Sequence, residues 1–215
     1  MANVSIWSNV AVAVQSAIGS PITINSITKA STAVVGYTGT DPSNGDYVLI
    51  TATGMEQVNN RVFRIATVDA SGNTLELEGV NSTAFDTFTA GTFQVVTLGT
   101  NLSTLTSLSS SGGDYAFIDV TTIHDTVSKQ IPGLASAATY TFESIWDSAD
   151  TGLVALKAAS DAKAQRVVRF TFANGQKVVF VGYIGATLLP GGSAQDKVTT
   201  QVVITLYSTP SVYAS

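Results

Sequence analysis

The sequence predicts a mainly β protein in which two antiparallel sheets pack together, beside one flanking helix and a small inserted β-module. Short runs of β-branched and aromatic residues recur between turn residues, as in all-β folds. Residues 149–164 have helical spacing of apolar residues. A tight hairpin follows, with the turn signal Asn174-Gly175 between two apolar runs. A chain of 215 residues is long enough for one or two domains with a substantial core.

The composition is low in charge. Charged residues make up 12% of the chain, against about 25% in typical domains, so the surface must be rich in Ser, Thr, Asn and Gly. Such a surface fits a protein hidden in an assembly, and equally an ordinary extracellular β-domain. The net charge of −5 and the absence of a basic run argue against tight binding to nucleic-acid phosphates.

Several classes of site and location are disfavoured by what the sequence lacks. Without cysteine, the chain has neither disulfides nor a cysteine–zinc site. No apolar run approaches the roughly 20 residues of a membrane helix. The N-terminal sequence also lacks the basic region of a signal peptide. We therefore expect a soluble protein made in the cytoplasm, with no membrane association.

The first half of the chain divides at Tyr37. Before it, apolar residues on even positions predict an N-terminal strand, and a second extended stretch covers residues 22–35. From Tyr37 to Thr97, short strands alternate with closely spaced turns, the pattern of a small β-barrel or compact β-module. We therefore predict an insert at 37–97 within a fold made of residues 1–36 and 98–215. The even positions of the first strand are Val4, Ile6, Val10, Val12 and Val14.

The middle of the chain is less regular. Residues 99–114 are rich in Ser and Thr, and leucines three apart indicate a short helix or a flexible connector. We predict a loop at 125–138, because Pro132-Gly133 interrupts it. Strands are predicted on either side, at 115–122 and 139–146. The last predicted strand alternates apolar residues with Thr199, Gln201, Thr205 and Tyr207.

The helix and hairpin are the centre of the predicted fold. Leu153 and Leu156 define the buried stripe, which Ala149 and Ser160 would extend, and Ser148 or Asp150 serves as N-cap. A two-residue turn at Asn174-Gly175 would pair Phe170 with Val179. Both hairpin faces are apolar, so both must be covered. The helix covers one, and a second sheet or a neighbouring subunit covers the other.

The order of motifs in the second half resembles the major tail tube protein of long-tailed, siphovirus-type bacteriophages. That pattern has a TT–D–T loop, an IPGL-like turn, a strand, an Asp-capped helix, and a strand–turn–strand unit with NG or DG. The corresponding positions here are Thr121-Thr122, Asp125, Ile131 to Leu134, Thr139 to Ile145, Asp147 and Asp150, Leu153 to Ala159, and Arg166 to Ile184. The predicted insert is similar to a small β-domain that often accompanies phage tail proteins.

This resemblance implies a virion structural protein of the phage tail. Subunits would form hexameric rings that stack into a tube, through which phage DNA passes without specific binding. Expected partners are other copies of the chain and the tape measure, tail tip and tail terminator proteins. The 37–97 insert would project outside the ring, so its deletion should leave polymerisation intact. Ring-to-ring contacts are expected from the N-terminal residues and the 99–114 and 125–138 segments, and the Thr199–Tyr207 face lines either the lumen or a subunit seam.

No residue pattern indicates catalysis, a cofactor or a metal. His124 and Asp125 are adjacent in an extended segment, so they point to opposite faces. The segment from Asp41 to Asp46 lacks the ligand spacing of a calcium loop. Helix capping accounts for Asp147 and Asp150, which lie near Glu143. We therefore predict no catalytic, cofactor-binding or metal residues, and no enzyme activity.

The alternative function is a β-rich decoration or adhesion protein that binds host-surface glycans. The insert would then be its ligand platform. Trp7 and Trp146 would be exposed for stacking on sugars in this alternative, whereas they are otherwise buried in the core or an interface.

Overall fold

In the computed structural model of the protein, residues 9–214 are described. The predicted strand positions Val4 and Ile6, and Trp7, lie outside them. Over residues 9–214 the chain forms one helix and seventeen strands, which confirms the mainly β prediction. In chain order they are β1 (Ala11–Val14), β2 (Ala17–Ile18), β3 (Ile22–Ile27), β4 (Val34–Thr38), β5 (Tyr47–Thr53), β6 (Arg61–Asp69), β7 (Thr74–Leu77), β8 (Ala90–Thr97), β9 (Thr100–Leu102), β10 (Leu105–Ser111), β11 (Tyr115–Asp119), β12 (Gln130–Ala135), β13 (Thr139–Ile145), α1 (Thr151–Asp161), β14 (Gln165–Thr171), β15 (Lys177–Ala186), β16 (Thr199–Leu206) and β17 (Ser211–Tyr213).

Eight of the described strands form a large antiparallel sheet in the order β10-β13-β16-β15-β14-β1-β9, with β17 beside β15. This sheet is folded onto itself. In a flat sheet β13 and β14, three positions apart, would be separated by about 14 Å. Yet the Phe170 ring on β14 lies 5.8 Å from that of Phe142 and 5.2 Å from that of Tyr140, both on β13. The two halves of the sheet therefore pack face to face, and their outer faces point in opposite directions.

The helix α1 packs against the core of the large sheet, beside β15, β9 and β1. Leu153 and Leu156 are buried as predicted, and Ala159 continues the buried stripe. The predicted extension is not observed, because Ala149 precedes the helix and is exposed and Ser160 is only half-buried.

The first turn of α1 contains a glycine, Gly152, as its second residue. A Cβ on Gly152 would lie 2.8 Å from the Asn101 carbonyl oxygen and 2.9 Å from Cγ of Leu102. Only a residue without a side chain lets β9 approach the helix this closely. This contact helps to fix the position of the helix on the large sheet.

The β14–β15 hairpin has a three-residue loop, so the predicted two-residue turn is wrong. Gly175 N donates to Phe172 O and Phe172 N donates to Gln176 O, both at 2.9 Å. Gly175 has a φ of +85°, whereas Asn174 keeps a negative φ and accepts a bond from Gln176 N through its side chain. This is a type I turn followed by a left-handed glycine, the usual three-residue hairpin loop.

The longer loop shifts the register by one residue. Phe170 pairs with Val178, not with Val179 as predicted, which exchanges the faces of one strand relative to the other. Both faces remain apolar, as expected. The core face carries Val168, Phe170, Val178 and Phe180, and the outer face carries Val167, Arg169, Val179 and Val181.

Strands β3 to β8 form a closed barrel, with β2 added to β8. Closure comes from β8, which pairs with both β3 and β5. Its interior is filled by alternate residues of every strand, among them Ile24, Val35, Tyr37, Ile50 and Phe93. The sequence predicted a small β-barrel or compact β-module, and the strands adopt the barrel.

The barrel includes residues that the sequence analysis assigned to the surrounding fold. Strand pairing places β3 and most of β4 in the barrel, although they precede Tyr37. The barrel therefore begins near Ala17, because the extended stretch at 22–35 finds its hydrogen-bond partners there. That this region folds as a separable unit stays a prediction.

Residues 99–114 contain β9 and β10, not the predicted short helix or connector. A β-bulge explains why leucines three residues apart can face the same core. The register shifts between Leu105 and Ser107, so Leu105 and Leu108 both turn towards the core despite their odd separation. Leu102 reaches the same core from β9.

The predicted loop at 125–138 is partly a strand. β12 pairs with β11 to form a two-stranded hairpin, here called the arm (residues 115–135). Pro132 is tolerated because it lies beside a register shift between Tyr115 and Phe117.

Candidate assembly surfaces

The outer face of the β14–β15 half of the large sheet is covered by the barrel. Val167, Val179 and Val181 are buried there against Tyr47 and Val62 of the barrel. The sequence predicted that either a second sheet or a neighbouring subunit would cover this face. In the structure the cover is a second sheet of the same chain, the barrel. This apolar contact fixes the barrel on one side of the molecule.

Polar contacts reinforce this junction through β17. The Tyr213 hydroxyl accepts a 2.7 Å hydrogen bond from Arg64 N, and Ser211 Oγ donates a 2.7 Å bond to Val62 O. The Arg64 guanidinium also lies 4.9 Å from the Tyr213 ring centre, within cation–π range. Burial raises the pKa of Tyr213.

This junction was not predicted from the sequence, although the sequence contains a pattern that indicates it. The run Tyr47-Val48-Leu49-Ile50 is continuously apolar, which indicates a strand covered on both faces. In the structure, Val48 and Ile50 fill the barrel while Tyr47 and Leu49 face the large sheet. The role of Tyr213 depends on the fold, because it lies far from its barrel partners in sequence.

The opposite outer face, on β10, β13 and β16, is polar, and is here called the polar face. Strand register aligns its side chains in rows across the three strands. The rows are Ser107–Glu143–Gln201, Ser109–Thr141–Val203 and Ser111–Thr139–Thr205. Because the sheet is folded over, this face points away from the barrel.

Glu143 is the charged member of these rows. Its carboxylate accepts a 3.2 Å hydrogen bond from Ser107 Oγ. A shallow pocket on this face is lined by hydroxyl and amide side chains around Glu143, with Thr199 and Gln201 on its far side. The predicted alternation of Thr199, Gln201 and Thr205 therefore belongs to a larger hydroxyl-rich wall.

The large sheet ends in β10 and β9, each of which has a partner on one side only among the described strands, as β17 has beside β15. β10 is the longer of them, spanning Leu105–Ser111. Edge strands present unpaired N–H and C=O groups that another chain can complete. Since β10 borders the polar face, a neighbour paired there would extend that face.

The arm exposes apolar side chains. Ile123 is 95% exposed and Leu134 is 89% exposed, and Phe117 and Ile131 on the arm strands are also exposed. Among the described strands, β11 and β12 pair only with each other. Apolar side chains on both faces of such a hairpin indicate that it is covered in an assembly.

Asp150 is the N-cap of α1, as predicted, whereas Asp147 stabilises the turn before the helix and does not cap it. Asp150 Oδ1 accepts a 2.9 Å bond from Leu153 N, and Asp147 Oδ1 accepts a 2.8 Å bond from Ala149 N. Asp150 is buried, and Ser103 Oγ donates a 2.8 Å bond to its other oxygen. Burial opposes ionisation of Asp150, but these hydrogen bonds outweigh it and hold its pKa below the ordinary value.

The other carboxylates considered in the sequence also stabilise turns. Asp125 accepts bonds from Thr122 N and pairs with Lys129, and these contacts lower its pKa, with Lys129 the largest cause. Asp46 Oδ2 accepts a 2.9 Å bond from Ser43 N.

Tyr37 binds another aspartate of the segment from Asp41 to Asp46. Its hydroxyl donates a 2.8 Å bond to Asp41 Oδ1. Burial, followed by the Asp41 carboxylate, raises the pKa of Tyr37 to about 12. The aspartates of the segment from Asp41 to Asp46 therefore stabilise the barrel through hydrogen bonds.

Within residues 9–214, no group of three or more His, Asp or Glu side chains is arranged to hold a metal ion. In this part of the chain, no helix is long and apolar enough to cross a membrane. Trp146 is 39% exposed, and its indole N–H donates a 3.0 Å bond to Leu188 O.

Comparison with known proteins gives a family match. Residues 53–215 match the family described as phage tail tube protein, TTP, from within the barrel to the C-terminal end of the chain. No curated protein sequence matches the chain. Among solved structures, a chain from the tail of an empty gene transfer agent particle, refined with helical C6 symmetry, is similar. It is 16% identical over 52% of this chain and 83% of that chain, with a TM-score of 0.43.

The family match covers well over half of the sequence, including the arm, β6 to β8 of the barrel and every strand of the large sheet except β1. It confirms the resemblance drawn from the motif order in the second half of the chain. The chain belongs to the phage tail tube protein family, and it is a structural subunit of the virion tail.

Proposed function

We propose that the subunit forms hexameric rings that stack into a tube, with the polar face of β10, β13 and β16 as the wall of the DNA channel. Membership of the tail tube family supports the assembly. The observation that carries the channel assignment is the row structure of Ser, Thr and Gln side chains with Glu143 as their charged member. Hydroxyls and a single carboxylate offer DNA phosphates no cation to bind.

The positions of the other surfaces fit this arrangement. The barrel lies on the side opposite the polar face, so it would be outside the ring and leave the channel open. The open β10 edge would pair with the neighbouring subunit, since strand edges in a closed ring complete one another. The arm would contact the next ring through its exposed apolar side chains.

The proposed tube also implies which molecules the subunit contacts. The tape measure would occupy the channel during assembly, and the tail tip and tail terminator proteins would bind the two ends of the tube. DNA would pass without specific contacts. The protein would act without catalysis, in keeping with the turn and helix-cap roles of Asp125, Asp147 and Asp150.

Negative-stain electron microscopy of the purified protein, with and without tail tip components, tests the assembly. Rings with six-fold symmetry or hollow tubes are the expected result. Particles that remain monomeric under both conditions would contradict it.

Cysteine labelling tests the channel wall, because the chain has no native cysteine. Ser109→Cys places a thiol on the polar face, and Ala70→Cys places a control thiol on an exposed barrel turn. In tubes, we expect a bulky polyethylene glycol maleimide to modify only the barrel thiol. A small maleimide should reach both, because a channel admits small reagents whereas a subunit seam does not.

Two outcomes would overturn this assignment. Modification of the Ser109→Cys thiol by the bulky reagent in intact tubes would place the polar face outside. Protection of that thiol from the small reagent as well would make the face a subunit seam. In dispersed subunits both thiols should react equally.

A further inference from the structure

The net charge of the protein is concentrated in the barrel region. Residues 17–97 contain seven acidic and three basic side chains, a net charge of −4. Residues 98–215 contain eight acidic and seven basic side chains, a net charge of −1, and residues 1–16 contain no charged side chain. The fold that carries the channel wall is therefore nearly neutral, and the barrel supplies most of the charge.

The barrel also presents its acids and its cations differently. Glu56, Asp69 and Asp86 are exposed. The two arginines of the barrel are half-buried, with Arg64 paired to Glu78 and stacked on the Tyr213 ring. Asp41 is exposed as well, and Lys29 is the exposed cation of residues 17–97, so four exposed acids stand against one exposed cation.

Arg61 shows the same inward placement. Its guanidinium lies 5.0 Å from the centre of the Phe63 ring, and it donates a 2.8 Å bond to Gln57 O. Burial lowers the pKa of Arg61 from its ordinary value. This cation is therefore half-buried and held by contacts within the barrel.

The position of this acidic surface has a physical consequence. The barrel covers the apolar outer face of β14 and β15, where Val167, Val179 and Val181 are buried. Without that cover, the outer face of a nearly neutral subunit would be apolar, which favours sticking between assemblies. With the cover, the same side of the molecule is hydrophilic and negatively charged.

We propose that the barrel is a charged cover: it seals the apolar outer face and surrounds the assembled tube with an anionic coat that keeps tubes from associating side by side. The partner in this interaction is another tube of the same chain, repelled by like charge. The inference rests on the proposed tube with the barrel outside. Repulsion of this kind is screened beyond about 10 Å at 0.1 M salt, so it must depend on ionic strength.

Two full-length variants of equal net charge test the coat. The first carries Glu56→Gln, Asp69→Asn and Asp86→Asn, which neutralise exposed acids of the barrel. The control carries Asp147→Asn, Asp161→Asn and Asp196→Asn, which neutralise exposed acids of the other fold. Each set changes the net charge from −5 to −2, so the variants differ only in where the charge is lost. Amides keep the acceptor oxygens on which the turns at Asp69 and Asp147 depend.

Turbidity and electron microscopy of assembled tubes are measured over a range of salt concentrations, after thermal melting has shown that both variants fold. We expect the barrel variant to form lateral bundles at salt concentrations where wild type and control remain as single tubes. Single tubes in both variants, or equal bundling in both, would overturn the coat while leaving the tube function in place.

A wild-type protein that forms no tube would instead overturn the proposed function. The coat is then tested on the dispersed subunit, through the salt concentration at which each variant precipitates. Earlier precipitation of the barrel variant than of the control supports the coat, and equal precipitation of the two overturns it.

Discussion

Asp150 shows how one residue connects local helix structure to the folded core. Its first oxygen caps α1 through Leu153 N, and its second accepts the Ser103 hydroxyl from the β9–β10 connection. The cap was predicted from the sequence, because an aspartate before a helical stripe is a common N-cap. The bond from Ser103 was not, because it joins segments 47 residues apart.

Replacement of this side chain should therefore lower stability. We expect Asp150→Ala to cost about 1–2 kcal/mol of unfolding free energy at neutral pH, through loss of the cap. Asp150→Asn should cost less, because the amide oxygen still accepts the Leu153 N–H bond. Urea unfolding of both variants beside wild type measures the difference, and an alanine variant as stable as wild type would contradict the capping role.

The same residue gives a pH dependence with a defined sign. The pKa of Asp150 is lowered in the folded state, so its carboxylate stabilises the fold above its unfolded pKa of about 3.9. That contribution is lost as the pH falls through the lower, folded pKa. The gap in stability between wild type and Asp150→Asn should therefore narrow on acidification.

At the scale of elements, β17 joins the two parts of the molecule. It pairs with β15 of the large sheet, and its side chains bond to β6 of the barrel. The sequence predicted one final strand at the end of the chain. The structure has β16 followed by this short strand, whose position beside β15 depends on long-range pairing.

Tyr213→Phe tests that connection. Removal of the hydroxyl leaves the part-buried Arg64 N–H without its acceptor, which should cost about 1 kcal/mol. The matched control is Tyr207→Phe, because Tyr207 is half exposed and its loss should be nearly neutral. Chemical denaturation measures both variants, and faster hydrogen exchange at the Arg64 amide would locate the effect. Equal stability of the two variants would show that the hydroxyl does not secure the junction.

At the scale of the whole molecule, the arm is the feature that the isolated fold does not explain. Its apolar residues are exposed on both faces, whereas most large apolar side chains of the other described elements are buried in cores. In a stacked tube, the next ring would cover them.

Leu134→Ser together with Ile123→Ser should therefore leave the subunit as stable as wild type while shortening or abolishing tubes. Exposed substitutions usually change stability by less than about 0.5 kcal/mol. Val154→Ser is the control, an exposed apolar residue on α1 away from the arm. Sedimentation and electron microscopy measure tube length, and tubes of normal length in the arm variant would contradict the stacking role.

Local sequence patterns were enough to predict α1, many of the strands and the family, although not β9, β10, β12 or β17. Alternation of apolar residues, turn residues and a capped apolar stripe act over a few residues, so they indicate strands, hairpins and α1 directly. The order of these motifs in the second half was enough to indicate a tail tube protein, which the family match confirms. The polar alternation of Thr199, Gln201 and Thr205 was also visible.

Which element covers each face of a strand depends on the tertiary structure. Whether Val167 and Val179 meet a second sheet or another subunit depends on pairings between distant segments, which no local pattern encodes. The same holds for the extended stretch at 22–35, which joins the barrel because its hydrogen-bond partners are there. Even the hairpin register depended on one extra loop residue, Ala173, and a shift of one residue exchanges every face of a strand.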